Sequence, residues 1–147
     1  MMKWWHLAAR FFTSLSPRPP DPDDVAWATA HLLEPEAAMW LAQTNQDQRH
    51  SVAVARRFAA RRPDATRAEI AGALLHDVGK NECGLGTFGR VAATLVGPRW
   101  TDSFRAYHDH EEIGAAMARD AGSDPVTVEL IAGDGPAFDD LRASDHA

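Results

Sequence analysis

The chain has 147 residues, 45% of them apolar and 24% charged, which is the balance of a folded globular domain and a length that suits one hydrophobic core rather than two. A net charge of −6 excludes a sequence-independent grip on nucleic acid, which needs a basic stripe, but leaves room for a small anion met by a few local cations. The single cysteine, Cys83, allows no internal disulfide and no Cys-rich zinc cluster, which points to a reducing, cytoplasmic setting and an ordinary loop thiol.

In chain order, Trp4, Trp5, Leu7, Ala8, Phe11 and Phe12 recur at helical spacing, while Lys3, His6 and Arg10 interrupt the apolar run. No small-residue cleavage site follows, so the stretch reads as an amphipathic helix that packs on the domain or joins copies into a homo-oligomer, with contact to a membrane surface as the lesser alternative. No window approaches the roughly 20 apolar residues of a membrane span. Four prolines in SLSPRPPDPDD make residues 14–24 a connector, so residues 1–20 are expected to precede a single helical domain over 21–147.

Asp21 before Pro22 predicts a helix over 22–33, and Pro35 starts another through about Gln43. Thr44 with Asp47 opens a helix that runs to Arg61 and Arg62 and is stopped by Pro63. Thr66 with Glu69 is a full capping box and opens the next, to about Gly79. Beyond the turn CGLGTFG, helices are expected over 88–96, over 103–121 up to Gly122, over 125–132 after Asp124-Pro125, and over 136–146. No alternating β-branched run occurs, so the fold class is all-α.

The chemistry concentrates in ALLHDVGK. On a helix over 66–79, Ile70, Leu74 and Val78 form one apolar line and His76 and Asp77 the adjacent strip, which turns the pair inward. A buried, unpaired carboxylate is expensive, and a metal ion is one of the few partners that satisfies Asp and His side by side. His50 shares a face with Val54 and Phe58 on the preceding helix, and a short turn can make the two helices antiparallel neighbours. In YHDHEEIGAAM, His110 shares a face with Ile113, Gly114 and Met117, whereas His108 aligns with Glu111 and Glu112, so His110 is the inward histidine. Leu141 and Asp145, four apart, put Asp145 on the apolar side of the last helix.

A histidine in DQRHSVAVARRF, an adjacent pair in ALLHDVGK, HEEIGA, and a distant aspartate in LRASDHA resemble, in this order, the signatures of the HD superfamily of metal-dependent phosphohydrolases. The resemblance implies an HD-type helical bundle with its metal site between central helices, and makes His50, His76, Asp77 and Asp145 the ligands of one divalent transition metal (Mn, Fe, Co, Ni or Zn). Asp77 would be able to bridge to a second metal, which would draw on His110. Where two-metal members carry a His-His pair, this chain reads Gly133-Asp134, so Asp134 is the remaining candidate ligand and one site is expected rather than two.

A metal on such a set supports hydrolysis of a nucleotide or another small phosphoester by metal-activated water, with Asp77, Lys80 and His110 as catalytic residues. Lys80, one of two lysines in the chain, is positioned for a phosphate oxygen, as are His110 and, more weakly, Arg49. Two other functions are compatible with the pattern: a binding or regulatory module that keeps its metal without turnover, and a di-iron oxygenase.

Overall fold

Helix starts follow the capping signals. The computed structural model describes residues 18–80 and 103–147, with the backbone alone for 103–109. Among these residues there are seven α-helices and no strand. The expected amphipathic helix at the N-terminus, the Cys83 turn, the 88–96 helix and Trp100 lie outside the described residues.

Asp21 accepts from the Asp23 amide at 2.8 Å and starts α1 (Pro22–Ala30). Glu36 reaches back to the Leu33 amide at 2.8 Å to start α2 (Glu34–Leu41). Thr44 accepts from Asp47 at 3.1 Å at the head of α3 (Asn45–Arg61). Thr66 and Glu69 bond each other's backbone amides, at 3.2 and 2.9 Å, to open α4 (Arg67–Leu75). After α5 (Ser103–Asp120), Asp124 caps α6 (Pro125–Ile131), and α7 spans Phe138–Asp145.

Helix ends depart further from expectation than starts. α1 stops at Ala30 rather than 33, where the His31 Nδ1–H donates to the Trp27 carbonyl at 2.7 Å. α2 ends at Leu41, two residues short of Gln43. α7 begins at Phe138 rather than 136, because Gly135 is a left-handed turn residue with φ +92°. α4 ends at Leu75, not near Gly79, so His76 and Asp77 stand in a turn that leads into a 3₁₀ segment at 78–80.

α4 is the central element. It packs on α3 on one side and α6 on the other, while α7 lies along α3 and α5 along α6. Trp40, Phe58, Leu74, Leu75, Ile113 and Ile131 are almost wholly buried between these helices. Two buried polar side chains are bonded within the core: the fully buried carboxylate of Glu36 also accepts from Ser123 Oγ at 2.6 Å and lies 3.3 Å from Arg67, and Trp40 donates to Ser51 Oγ at 2.8 Å. No described helix is long and apolar enough to cross a membrane.

Candidate metal centre

His76 takes its orientation from the end of α4. Its Nδ1–H donates to the Ala73 carbonyl at 2.7 Å, a local bond that draws on a carbonyl the helix would otherwise use and fixes the ring. With the proton on Nδ1, the Nε2 lone pair points away from the helix. That atom is buried and has no hydrogen-bond partner. What it faces is two carboxylates, Asp77 Oδ2 at 3.3 Å and Asp145 Oδ1 at 3.5 Å.

His50, on α3, completes the group. Its Nε2 lies 3.0 Å from Asp145 Oδ1 and 3.9 Å from Asp77 Oδ2, with the two imidazole centroids 6.1 Å apart. One ligand atom from each of His50, His76, Asp77 and Asp145 falls within 4.8 Å of all the others. Ligands that each sit about 2.1 Å from a common ion are separated from one another by about 3.0–4.2 Å, and the four His–Asp separations, 3.0 to 3.9 Å, fall in that range, so the group could hold one metal ion. His50 is not buried as its neighbours Val54 and Phe58 are: its side chain is 41% exposed, against 10% for His76, and it closes the group from the solvent side.

Asp145, two residues from the end of the sequence, is held by contacts made one residue earlier and one turn earlier. Arg57 Nε donates to the Ser144 carbonyl at 2.8 Å, tying α7 to α3. Ser144 Oγ in turn donates to the Asp140 carbonyl at 2.8 Å, and Asp140 accepts from Arg62 at 3.0 Å. Arg62 also meets Glu69 of the α4 capping box at 3.1 Å, so a chain of bonds links the start of α4 to the aspartate at its far side.

The charges are strongly coupled. Burial favours the neutral His76, but the hydrogen-bonding and negative charge of Asp145 and Asp77 outweigh it and push its pKa up to about 10. Burial likewise opposes ionisation of Asp77, and His76 with Lys80 overcomes it to bring that carboxyl down to about 2. The imidazoles of His50 and then His76 hold Asp145 far below the usual carboxylate range. At 3.3 and 3.5 Å the His76 contacts are too long for good charge-assisted hydrogen bonds, which run at about 2.7–2.9 Å. Without a metal a proton on His76 meets the two carboxylates at these long distances, and the four ligand atoms could instead hold one cation.

Beside the cluster opens a cavity of about 390 Å³, with His76, Asp77 and Asp145 at one end and Lys80 and His110 on its walls. Lys80 Nζ lies 3.3 Å from Asp77 Oδ1, so the two oxygens of Asp77 divide between the imidazoles and an ammonium. His110 owes its place to Gly79: the backbones of the 3₁₀ segment and α5 approach so closely that a Cβ at 79 would collide with the His110 carbonyl and lie 2.7 Å from the Gly114 amide nitrogen. The glycine of HDVGK is thus the point at which α5 docks.

Of the remaining expected site residues, Arg49 is half-buried beside His50 and takes no part in lining the cavity. Asp134 lines a separate cavity of about 240 Å³ with Glu69 and Glu129, so it and His110 do not share a cavity. Gly133, at φ +87°, turns the chain there, and the Asp134 amide bonds back to the Glu129 carbonyl at 3.0 Å.

Three ionisable cavity residues were not read from the sequence as site residues: Glu111, Arg142 and His146. Arg142 carries a signal, since it precedes Asp145 by three positions on one helix, whereas His146, next to Asp145 in sequence, carries none. Glu111 carries none. Its carboxylate lies against Gly133, where a Cβ would stand 2.5 Å from Glu111 Oε2 and displace it.

Comparison with protein-family models, with curated proteins and with solved structures finds no match for this chain. Its function is therefore argued from the site.

Proposed function

We propose that the protein is a metal-dependent phosphohydrolase of HD type, holding one divalent transition metal on His50, His76, Asp77 and Asp145 and cleaving a small phosphoester. One observation carries the reading: the buried His76 Nε2 has no hydrogen-bond partner and faces two carboxylates, a placement that calls for a cation. The histidine arrangement, with Nδ1–H on a backbone carbonyl and Nε2 bare, is the one metal-ligating imidazoles generally use. The order of the ligands along the chain also matches the resemblance drawn from the sequence.

A divalent cation on such a set acts as a Lewis acid toward a phosphoryl oxygen and lowers the pKa of water to about 7. The chain's own residues supply the rest. Lys80 keeps Asp77 ionised and puts a second positive charge at the cavity wall. His110, on the facing helix, is the group placed to hydrogen-bond the ester or to give a proton to the departing alcohol. Because Asp77 Oδ1 is engaged by Lys80, and Asp134 lies in another cavity, a single ion is favoured over a pair.

The test compares the metal content of the purified wild type and Asp77→Ala, together with turnover of a phosphoester panel under added Mn, Fe, Co, Ni or Mg. Stoichiometric metal in the wild type, and joint loss of metal and activity in the variant, are expected. Metal retained in full by Asp77→Ala refutes the ligand assignment, and stoichiometric metal with no turnover of any ester refutes the hydrolase.

A further inference from the structure

We infer that Arg142 is the phosphate anchor of this cavity and that its ligand is a phosphomonoester with a compact, uncharged and largely apolar remainder; this rests on the phosphohydrolase reading and narrows it.

The first observation is how the arginines are used. Arg56 pairs with Asp24, Arg61 and Arg62 with Asp140, Arg62 also with Glu69, and Arg67 with Glu36. Arg142 makes no ion pair or side-chain hydrogen bond among the described residues, yet it lines the cavity. It precedes Asp145 by three positions on α7, so the two side chains project from the same face about 5–6 Å apart. Asp145 does not capture it, because its Oδ1 is engaged by His50 at 3.0 Å. The macrodipole accounts for a basic residue in the last turn of α7, and Arg142, though exposed, also lines the cavity that the ligand cluster lines.

A guanidinium so placed matches phosphate through two parallel N–H donors. A monoester phosphate has three terminal oxygens and two negative charges, enough to engage both the fork and a cation held by the ligand cluster. A diester, with two free oxygens and one charge, satisfies one of them and not both.

The rest of the ligand is set by the other walls. Leu130, Ile131 and Phe138 supply an apolar surface, and 390 Å³ lies near the lower end of the range of about 300–1,000 Å³ for small-molecule sites. Glu111, a carboxylate on the same cavity, opposes a second phosphate, so a monophosphate is favoured over a di- or triphosphate.

The experiment titrates inorganic phosphate, methylphosphonate and phenylphosphonate into Mn-loaded wild type, Arg142→Ala and Arg142→Lys, at saturating metal and with metal content measured. Arg142→Ala is expected to keep the metal and to bind phosphate about 10- to 100-fold more weakly. Arg142→Lys should recover part of that loss. Phenylphosphonate should bind the wild type about tenfold more tightly than methylphosphonate. With 4-nitrophenyl phosphate the alanine variant should lose activity mainly through KM, and the wild type should prefer this monoester to bis(4-nitrophenyl) phosphate.

Phosphate binding that is absent in the wild type, or unchanged in Arg142→Ala, overturns the anchor. Equal affinity for the two phosphonates, or a preference for the diester, overturns the ligand class. The two readings fail separately: binding through Arg142 without turnover of any ester leaves the anchor standing and refutes the hydrolase, whereas turnover indifferent to Arg142 does the reverse.

Discussion

Gly79→Ala tests whether the close approach of two backbones assembles the site. The new methyl would lie 2.7 Å from the Gly114 nitrogen and would overlap the His110 carbonyl oxygen. Ordinary contact begins at 3.4 Å, so α5 must retreat by at least 0.7 Å (3.4 − 2.7), and no rotamer change relieves a clash between backbone atoms. Overpacking of this kind costs about 1–3 kcal/mol, and the rigid partner argues for about 3. For a chain of this length that is a fall in melting temperature of about 6–12 °C.

Gly72→Ala is the milder comparison, since its Cβ meets Leu130 Cδ2 at 2.9 Å, which can turn away, and Leu130 Cβ at 3.1 Å, which needs a shift of only a few tenths of an ångström. Thermal melts followed by circular dichroism, with a chelator present, isolate the packing term from any metal. The expected order of loss is Gly79→Ala well above Gly72→Ala. A Gly79→Ala protein melting within 2 °C of wild type, or a reversed order, refutes the docking role of Gly79.

Three further outcomes follow from the site. The metal-free His76 has its pKa raised to about 10, so metal must displace a proton there. Metal affinity should rise with pH by up to about tenfold per unit below pH 10, and calorimetry in buffers of different ionisation enthalpy should show proton release; a pH-independent affinity between 6 and 8 contradicts this. In the metal-free protein the sign of the stability linkage is opposite for the two partners. His76, raised above its ordinary 6.5, contributes in full below pH 6.5 and loses that contribution as pH climbs through about 10, whereas Asp77, lowered from 3.8, contributes above pH 3.8 and fails as pH falls through about 2. Urea melts of chelated protein should therefore weaken toward both extremes, and flat stability between pH 7 and 10 would be the contrary result. Arg57→Ala removes the donor to Ser144 that seats Asp145, and should weaken metal binding about tenfold while circular dichroism stays unchanged; unaltered affinity would show that α7 holds Asp145 without it.

Helix identity and the inward residues were legible in the sequence because they depend on neighbours within one turn. A cap such as Thr66-Glu69 acts over three residues, and the phase of His50, Val54 and Phe58 follows from 3.6 residues per turn, so both can be read without the rest of the chain. The four-residue cluster was legible for a related reason: each of its members sits on the apolar side of its own helix or, at 76 and 77, just past the end of one. Where α4 ends was not legible, because the bond from the His76 ring to Ala73 competes with the helix only once the ring is held in place.

What the tertiary structure alone decided is which groups meet. Asp145 is an aspartate near the end of the sequence until Arg57 and Arg62, from α3 and the turn after it, fasten α7 alongside; Glu111 becomes a cavity residue with its carboxylate against Gly133 of another segment. Arg142 stands out only after Arg56, Arg61, Arg62 and Arg67 have been paired off across the fold and the cavity lining is known. Local order is set by short-range sterics and hydrogen bonds written in consecutive residues, whereas the spacing of charges around a site is set by how separate helices pack, and no single stretch of sequence carries that distance.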